Sequence, residues 1–175
     1  MSICLRLLAS NHPDSVQLIA ELDGELSLDT PREHMHGLHA GEETDPRLRF
    51  FVLEVDDVIA GCGALRELEP GVAELKRMFV RPPFRGQRHG RFLLEELEHE
   101  AAGAGIHTLR LETSPTLREA VGLYHSAGFV DIPRYGEYVN SPISLCMEKP
   151  CRPEPFASLE GRLREGPAPG WIART

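Results

Sequence analysis

A stretch near the middle of the chain carries concentrated positive charge. Residues 75–94 include six of the chain's 19 basic residues, whereas all 27 acidic residues lie elsewhere. The six are Lys76, Arg77, Arg81, Arg85, Arg88 and Arg91. On a chain whose net charge is −8, this local cationic pocket predicts a selective site for an anion.

The same stretch contains a pattern typical of a backbone anion cradle. Residues 82–90, PPFRGQRHG, connect a predicted strand to a predicted helix and place glycines beside the helix start. A helix N-terminus offers unpaired N–H groups and a partial positive charge, and glycine lets a ligand approach the backbone closely. These features predict a phosphate or pyrophosphate site. The alternative is a solvated basic helix start with glycine as a turn residue. The P-loop pattern is absent, and residues 61–66 lack the third glycine of the dinucleotide-binding pattern.

Histidines and cysteines give weaker indications of chemistry. His34, His36 and His39 lie in a segment without a regular period, and this cluster alone does not predict a metal site. Nothing beside Cys62 in sequence would lower its thiol pKa and make it a nucleophile. The four cysteines are far apart, and three lie in apolar strand-like runs, which is typical of a reducing compartment. We therefore predict no metal site and a cytoplasmic protein.

Alternating and helical periodicities predict the elements that position the basic stretch. The order of elements is strand, helix, three strands, helix, strand, helix, two strands. It predicts an α/β (α+β) domain with a mixed, mostly antiparallel sheet of about six or seven strands and helices on both faces. Strands are expected at 3–8, 50–55, 58–67, 72–80, 107–112, 129–132 and 143–148, and helices at 14–28, 88–104 and 117–126. Residues 29–48 are predicted to form a long connection.

The run at 72–80 contains one irregularity. Apolar residues occupy odd positions up to Leu75 but even positions from Met78 onward, and strict alternation cannot bury both sets on one face. A one-residue bulge near Lys76 or Arg77 would restore the phase. The alternative is a strand end that is buried on both faces.

Length and composition bound the organisation of the chain. With 175 residues, 41% apolar and 26% charged, the sequence is that of an ordinary globular protein. We expect one domain over residues 1–149 and a Pro/Gly-rich tail over 150–175. Neither nucleic acid nor membrane is a predicted partner, because the net charge is negative and no apolar run approaches the ~20 residues of a membrane span. Both a monomer and a homodimer stay open.

Two segments together resemble motifs of the GNAT superfamily of N-acetyltransferases. ELKRMFV at 74–80, followed by RGQRHG at 85–90 and FLL at 92–94, resembles the acyl-CoA-binding motif of that family. LYHSAGF at 123–129 looks like its second motif, and the resemblance extends over residues 3–149. The sequence departs from the family pattern Arg/Gln-x-x-Gly-x-Gly/Ala at one position. Arg88 replaces the first glycine, where its side chain would crowd or contact the pyrophosphate.

The resemblance implies a GNAT-like sheet and an acetyl-CoA-dependent N-acetyltransferase without a metal. The backbone of Met78, Phe79 and Val80 would pair with the pantetheine arm like an added strand, so a neighbouring strand must splay away. Glu74 is the implied base, acting directly or through water, and Tyr124 the implied proton donor to the departing thiolate. The pyrophosphate would be held by Arg85, Gly86, Gln87, Arg88, His89 and Gly90.

Each implied role has an alternative. Glu74 could be a solvated strand residue paired with Lys76 or Arg77, and Tyr124 could be a core residue because it lies on the apolar face of its helix. The implied acceptor is the amine of a small molecule, amino acid or peptide. The alternative function is a non-catalytic acyl-CoA-binding or sensing module.

Overall fold

Seven strands and three α-helices form over the part of the chain that this computed structural model describes, residues 2–28 and 45–151. The strands are β1 (Ile3–Leu8), β2 (Leu48–Val55), β3 (Val58–Glu69), β4 (Val72–Val80), β5 (Thr108–Thr113), β6 (Val130–Ile132) and β7 (Leu145–Pro150). The helices are α1 (Pro13–Leu26), α2 (His89–Gly103) and α3 (Arg118–Ser126). Residues 29–44, which hold the three histidines and most of the predicted long connection, and residues 152–175 of the predicted tail lie outside the described residues.

All seven strands belong to one sheet, in the order β1-β2-β3-β4-β5-β7-β6. Only β4 and β5 pair in parallel, and every other neighbouring pair is antiparallel. This arrangement confirms the predicted mixed, mostly antiparallel sheet. The bounds of β1 and β4 match the prediction, whereas β7 begins two residues later than expected and runs to Pro150.

Helices pack on both faces of the sheet, as the periodicities predict. On one face, Leu93 and Leu97 of α2 are fully buried in a cluster that includes Leu109 of β5. On the other face, Leu18 of α1 is fully buried against residues such as Phe50 of β2. Because successive strand residues point to opposite faces, β2, β3 and β4 each contribute residues to both clusters.

β4 contains the bulge that its apolar pattern predicts. The register between β3 and β4 shifts between Cys62 and Ala64, and Arg77 has a φ of +58°. A bulge places two residues of one strand opposite one residue of its partner. A left-handed backbone at a residue with a Cβ costs about 1–2 kcal/mol, so surrounding contacts must hold Arg77 in place.

β4 and β5 part halfway along their length. Their parallel pairing runs from Val72–Thr108 to Leu75–Leu111 and then stops. β4 continues over residues 76–80 and β5 over residues 112–113 without pairing to each other. The parting leaves main-chain groups of β4 without a strand partner on that side. The neighbouring strand therefore splays away, as the resemblance requires.

The described part of the chain extends slightly beyond the predicted end of the domain. Cys151 is buried, and its backbone N–H donates to the carbonyl oxygen of His107 at 2.8 Å. The division at residue 149 stays a prediction. No helix within the described ranges combines the length and apolar character needed to cross a bilayer.

Candidate active site

A cavity of about 150 Å³ lies where β4 and β5 part. Glu74 of β4 and Tyr124 of α3 both line it. Leu22 and Leu26 of α1 and Leu117, just before α3, contribute apolar walls. The two residues implied as base and proton donor therefore face one shared space, although they lie on different elements.

Glu74 is buried among polar neighbours. It is 2% exposed, its Oε1 accepts a hydrogen bond from the Tyr135 hydroxyl at 2.8 Å, and its Oε2 lies 3.4 Å from Lys76 Nζ. A buried carboxylate is tolerated only when it is paired and hydrogen-bonded. Glu74 is thus paired with Lys76, as one alternative expected, but it is not solvated.

Tyr135 and Tyr138 complete this buried cluster, and sequence reasoning did not single them out. Their rings pack edge to face with centroids 5.4 Å apart, and Lys76 Nζ lies 3.4 Å from the Tyr138 hydroxyl oxygen. Burial, together with the nearby Glu74, raises the pKa of both tyrosines. They flank a 3-10 turn at Gly136–Tyr138, which has neither a helical nor a strand period that would have signalled them.

Tyr124 lies on the inner face of α3. It is 7% exposed, and its ring packs edge to face against Phe129 at 5.8 Å. Burial raises the pKa of its hydroxyl, and the neighbouring Glu112 adds to the effect. No residue in the described ranges forms a hydrogen bond with this hydroxyl. Tyr124 is therefore a core residue that lines the cavity, and its hydroxyl has no partner among residues 2–28 and 45–151.

Much of the positive charge in residues 75–94 is matched by carboxylates of α1. The ion pairs are Arg77 with Asp23 at 2.5 Å, Arg81 with Glu21 at 2.8 Å and Arg85 with Glu25 at 2.7 Å. The Arg81 guanidinium also lowers the pKa of Glu21 through its hydrogen bonds. The basic stretch is thus partly neutralised on the side of α1, which the linear charge pattern did not reveal.

Arg88 is the exposed charge at the start of α2. It is the N-cap residue of α2 with φ +65° and makes no side-chain capping bond. Gly86, at φ +74°, has open space where a Cβ would stand. Within the described ranges, Arg88 forms no ion pair. The first-turn N–H groups of α2 and the Arg88 guanidinium are therefore available to an anion.

The remaining cradle residues are held by local contacts. Arg85 Nε donates to the carbonyl oxygen of Val80 at 2.7 Å, and Gln87 Nε2 donates to that of Pro83 at 3.2 Å. His89 is 3% exposed, and its Nδ1 lies 2.9 Å from the Phe84 carbonyl oxygen. These contacts fix the loop between β4 and α2 in shape.

Burial explains why Cys62 is a poor nucleophile. It raises the pKa of this thiol to about 12, and the Sγ lies 3.4 Å from the carbonyl oxygen of Arg77. Over the described ranges, no group of three or more His, Cys, Asp or Glu side chains could hold a metal ion.

Comparison with protein families identifies the fold as one already known. The model of the acetyltransferase (GNAT) family matches residues 10–129, which contain the bulge, the cradle and most of the residues that line the cavity. The chain belongs to the GNAT family. It is accordingly an acyltransferase, and the resemblance read from its two motifs is confirmed.

Individual GNAT relatives extend this similarity across most of the chain. An IAA acetyltransferase of Azospirillum brasilense is 43% identical over 136 residues, covering 77% of this chain and 89% of that protein. A crystal structure from Klebsiella pneumoniae, assigned as an acyl-CoA N-acyltransferase, is 28% identical with a TM-score of 0.72, covering 85% of this chain and 97% of the other. The PaiA N-acetyltransferase of Thermoplasma acidophilum, solved in complex with coenzyme A, shares the fold at 19% identity with a TM-score of 0.67, over 86% of this chain and 99% of that one.

Proposed function

We propose that this GNAT protein transfers an acetyl group from acetyl-CoA to the amine of a small molecule, amino acid or peptide. The observation that carries the proposal is the cavity at the parting of β4 and β5, which Glu74 and Tyr124 line together. A base and a proton donor at one cavity are what an amine acyl transfer requires.

Residues of β4 and the start of α2 fit the donor. Among the described residues, the β4 main chain over residues 76–80 has no strand partner on the β5 side, so it can pair with an extended pantetheine arm. The first turn of α2, with Gly86 and Arg88 before it, fits a pyrophosphate. When bound, acetyl-CoA supplies an activated acyl group as a thioester. In the PaiA structure, a protein of the same fold holds coenzyme A.

Glu74 would take the proton of the acceptor amine, directly or through a water molecule. A lysine-like amine with a pKa of about 10.4 is mostly protonated at pH 7, and its deprotonation costs about 4.6 kcal/mol. Tyr135 donates to Oε1 and Lys76 lies against Oε2, so the carboxylate is held in one position at the cavity wall. A fixed base at the reacting amine lowers the barrier by orientation as well as by proton transfer.

Tyr124 would return a proton to the departing thiolate. Because burial raises the pKa of its hydroxyl, Tyr124 stays protonated throughout the neutral range. Its hydroxyl has no hydrogen-bond partner in the described part of the chain, so the proton is not committed elsewhere.

We further propose that the protein works in the cytoplasm. All four cysteines are free thiols, and three of them are buried. Free cysteines of this kind are typical of a reducing compartment. Fractionation of the native host cells, with detection of the protein in the cytoplasmic fraction, tests this assignment.

Thiol release tests the proposed reaction. The full chain is mixed with acetyl-CoA and a panel of primary amines, and free CoA thiol is followed over time. Saturable, amine-dependent release is expected. Binding of CoA, measured by thermal stabilisation, with no release for any amine would instead favour a non-catalytic acyl-CoA-binding module. At 100 times its Kd, a ligand stabilises the fold by ~2.7 kcal/mol, so binding is readily detected.

A further inference from the structure

The guanidinium of Arg77 is buried, and two of its three nitrogens, with three of its five N–H groups, have no partner among the described residues. Its side chain is 5% exposed, and Nη1 lies 2.5 Å from Asp23 Oδ1. Its Nε and Nη2 are both buried, and neither has a hydrogen-bond partner within the described ranges. Buried donors are nearly always bonded in folded proteins, so this pair of nitrogens requires an explanation.

Nε and Nη2 form the edge of arginine that binds a carboxylate with two parallel hydrogen bonds. Arg81 uses this edge on Glu21, with both distances 2.8 Å, and Arg47 uses it on Asp45, at 3.0 and 2.8 Å. Arg77 has the same edge but binds Asp23 through the opposite nitrogen. The unused edge of Arg77 is therefore matched in shape and charge to a carboxylate that the described residues do not provide.

The bulge in β4 places Arg77 at the acceptor cavity. Lys76 and Arg77 are consecutive, yet both line the cavity that Glu74 and Tyr124 share. In a regular strand, consecutive side chains point to opposite faces, so the bulge is what brings both cations to one side. The left-handed backbone of Arg77, at φ +58°, accompanies this arrangement.

The other cavity walls define the rest of the ligand. Leu22, Leu26, Leu117 and Ile143 are apolar, and a cavity of about 150 Å³ has room for an apolar side chain no larger than a benzene ring. Three carboxylates already line the cavity, those of Asp23, Glu74 and Glu112. A second anionic group on the ligand would find no cation left, because Lys76 is engaged by Glu74 and Glu137.

We infer that Arg77 binds the carboxylate of the acceptor, and that the acceptor is a free α-amino acid with a small apolar side chain. The inference rests on the proposed function and narrows its acceptor. The Arg77 side chain shifts toward the cavity so that its buried Nε–Nη2 edge meets the carboxylate, the amine lies toward Glu74, and the ligand's side chain lies against the apolar walls. Arg77 is then a specificity-determining residue of the acceptor site.

A matched set of acceptors tests this assignment in the wild-type chain. Leucine, leucinamide and isoamylamine share one apolar body, but only leucine carries a carboxylate. Rates are compared per unprotonated amine, and kcat/KM for leucine should exceed that for either analogue by ~10- to 100-fold, the range expected for a charge-assisted pair. Equal kcat/KM for all three, with turnover present, overturns the inference but leaves the proposed function standing.

Three variants locate the effect at the guanidinium. Arg77→Gln should raise KM for leucine at least tenfold and leave kcat, KM for isoamylamine and KM for acetyl-CoA within about twofold, since a carboxylate contact is lost from ground state and transition state alike. Arg77→Lys should recover part of the loss, because it keeps the charge but not the paired geometry. The matched control Arg81→Gln breaks an equivalent ion pair with α1 outside the cavity lining, and it should leave KM for leucine unchanged. A rise in KM for acetyl-CoA rather than for leucine in Arg77→Gln would overturn the inference.

Binding supplies a readout that does not depend on turnover. With free CoA present, leucine should raise the Tm of the wild-type chain and of Arg81→Gln but not that of Arg77→Gln. If no amine releases thiol but leucine still stabilises the wild type in this Arg77-dependent way, the proposed reaction fails and the carboxylate site survives. If leucine and isoamylamine stabilise equally, or leucine stabilises Arg77→Gln as well as wild type, the carboxylate site is refuted.

Discussion

Replacing Tyr124 by phenylalanine separates the catalytic from the structural contribution of this residue. The ring packs against Phe129 and is almost fully buried, and phenylalanine preserves that packing. The hydroxyl has no hydrogen bond to the described residues, so its removal breaks none among them. We therefore expect a change in unfolding free energy within ~0.5 kcal/mol and, for a chain of this length, a Tm shift of no more than about 2 °C.

The catalytic effect of the same substitution should be large. Loss of a positioned proton donor typically lowers a rate by ~10²- to 10⁴-fold. The effect should fall on kcat, because the proposed pantetheine and pyrophosphate contacts lie on β4 and at the start of α2. The Kd of CoA, measured by calorimetry, should stay within about twofold of wild type.

Tyr135→Phe provides the contrasting control. The Tyr135 hydroxyl donates to buried Glu74 at 2.8 Å, so its removal leaves a carboxylate oxygen short of a donor. Such a loss costs about 1–3 kcal/mol, and denaturant unfolding should detect it. A wild-type kcat in Tyr124→Phe would remove Tyr124 from the mechanism. A loss of more than about 1 kcal/mol in that variant would show that its hydroxyl has a structural partner.

Three further predictions concern the charges around the cradle. Arg85→Glu should weaken CoA binding, and the loss of affinity should shrink as salt is added. Glu25→Gln should tighten CoA binding, because Glu25 competes for Arg85. Unchanged affinity in both variants, measured by calorimetry, would exclude Arg85 from the cradle. Arg88→Gly should stabilise the fold by ~1 kcal/mol in urea unfolding, because strain at φ +65° outweighs the added freedom of the unfolded chain, and a less stable variant would contradict this. Arg81 lowers the pKa of Glu21, so this pair stabilises the fold above pH ~4.5, and the contribution is lost as the pH falls below that value. Glu21→Gln should therefore be less stable than wild type at pH 7 and approach the stability of wild type at pH 3.5. A difference in stability that does not depend on pH would contradict the assignment.

Local patterns predicted the parts of the site that lie within one element. The change of apolar phase in β4 located the bulge at Lys76 or Arg77, because side-chain alternation is a property of the strand itself. The basic stretch with its glycines predicted the start of α2, because the residues that begin a helix are also a local feature of the sequence. The observed helix begins one residue later than expected.

Contacts between elements that are far apart in the chain could not be predicted from the sequence. Tyr135 meets Glu74 across 61 positions of chain, through a turn without a period. Glu21 and Glu25 of α1 were assigned to a helix, but only the packing of α1 against β4 brings them to the arginines. Which arginine remains unpaired is decided by these long-range pairs, so charge along the sequence does not determine charge in the folded pocket.

Because β4 and β5 pair over a short stretch, few main-chain hydrogen bonds join the two halves of the sheet. Four residue pairs, from Val72–Thr108 to Leu75–Leu111, are the whole of their ladder. A ligand lying along residues 76–80 adds main-chain hydrogen bonds where β4 is no longer paired with β5. It therefore stabilises this part of β4. Amide protons of this stretch should then exchange more slowly with solvent deuterium when the donor is bound. In that case the proposed substrate itself contributes to the local stability of the sheet.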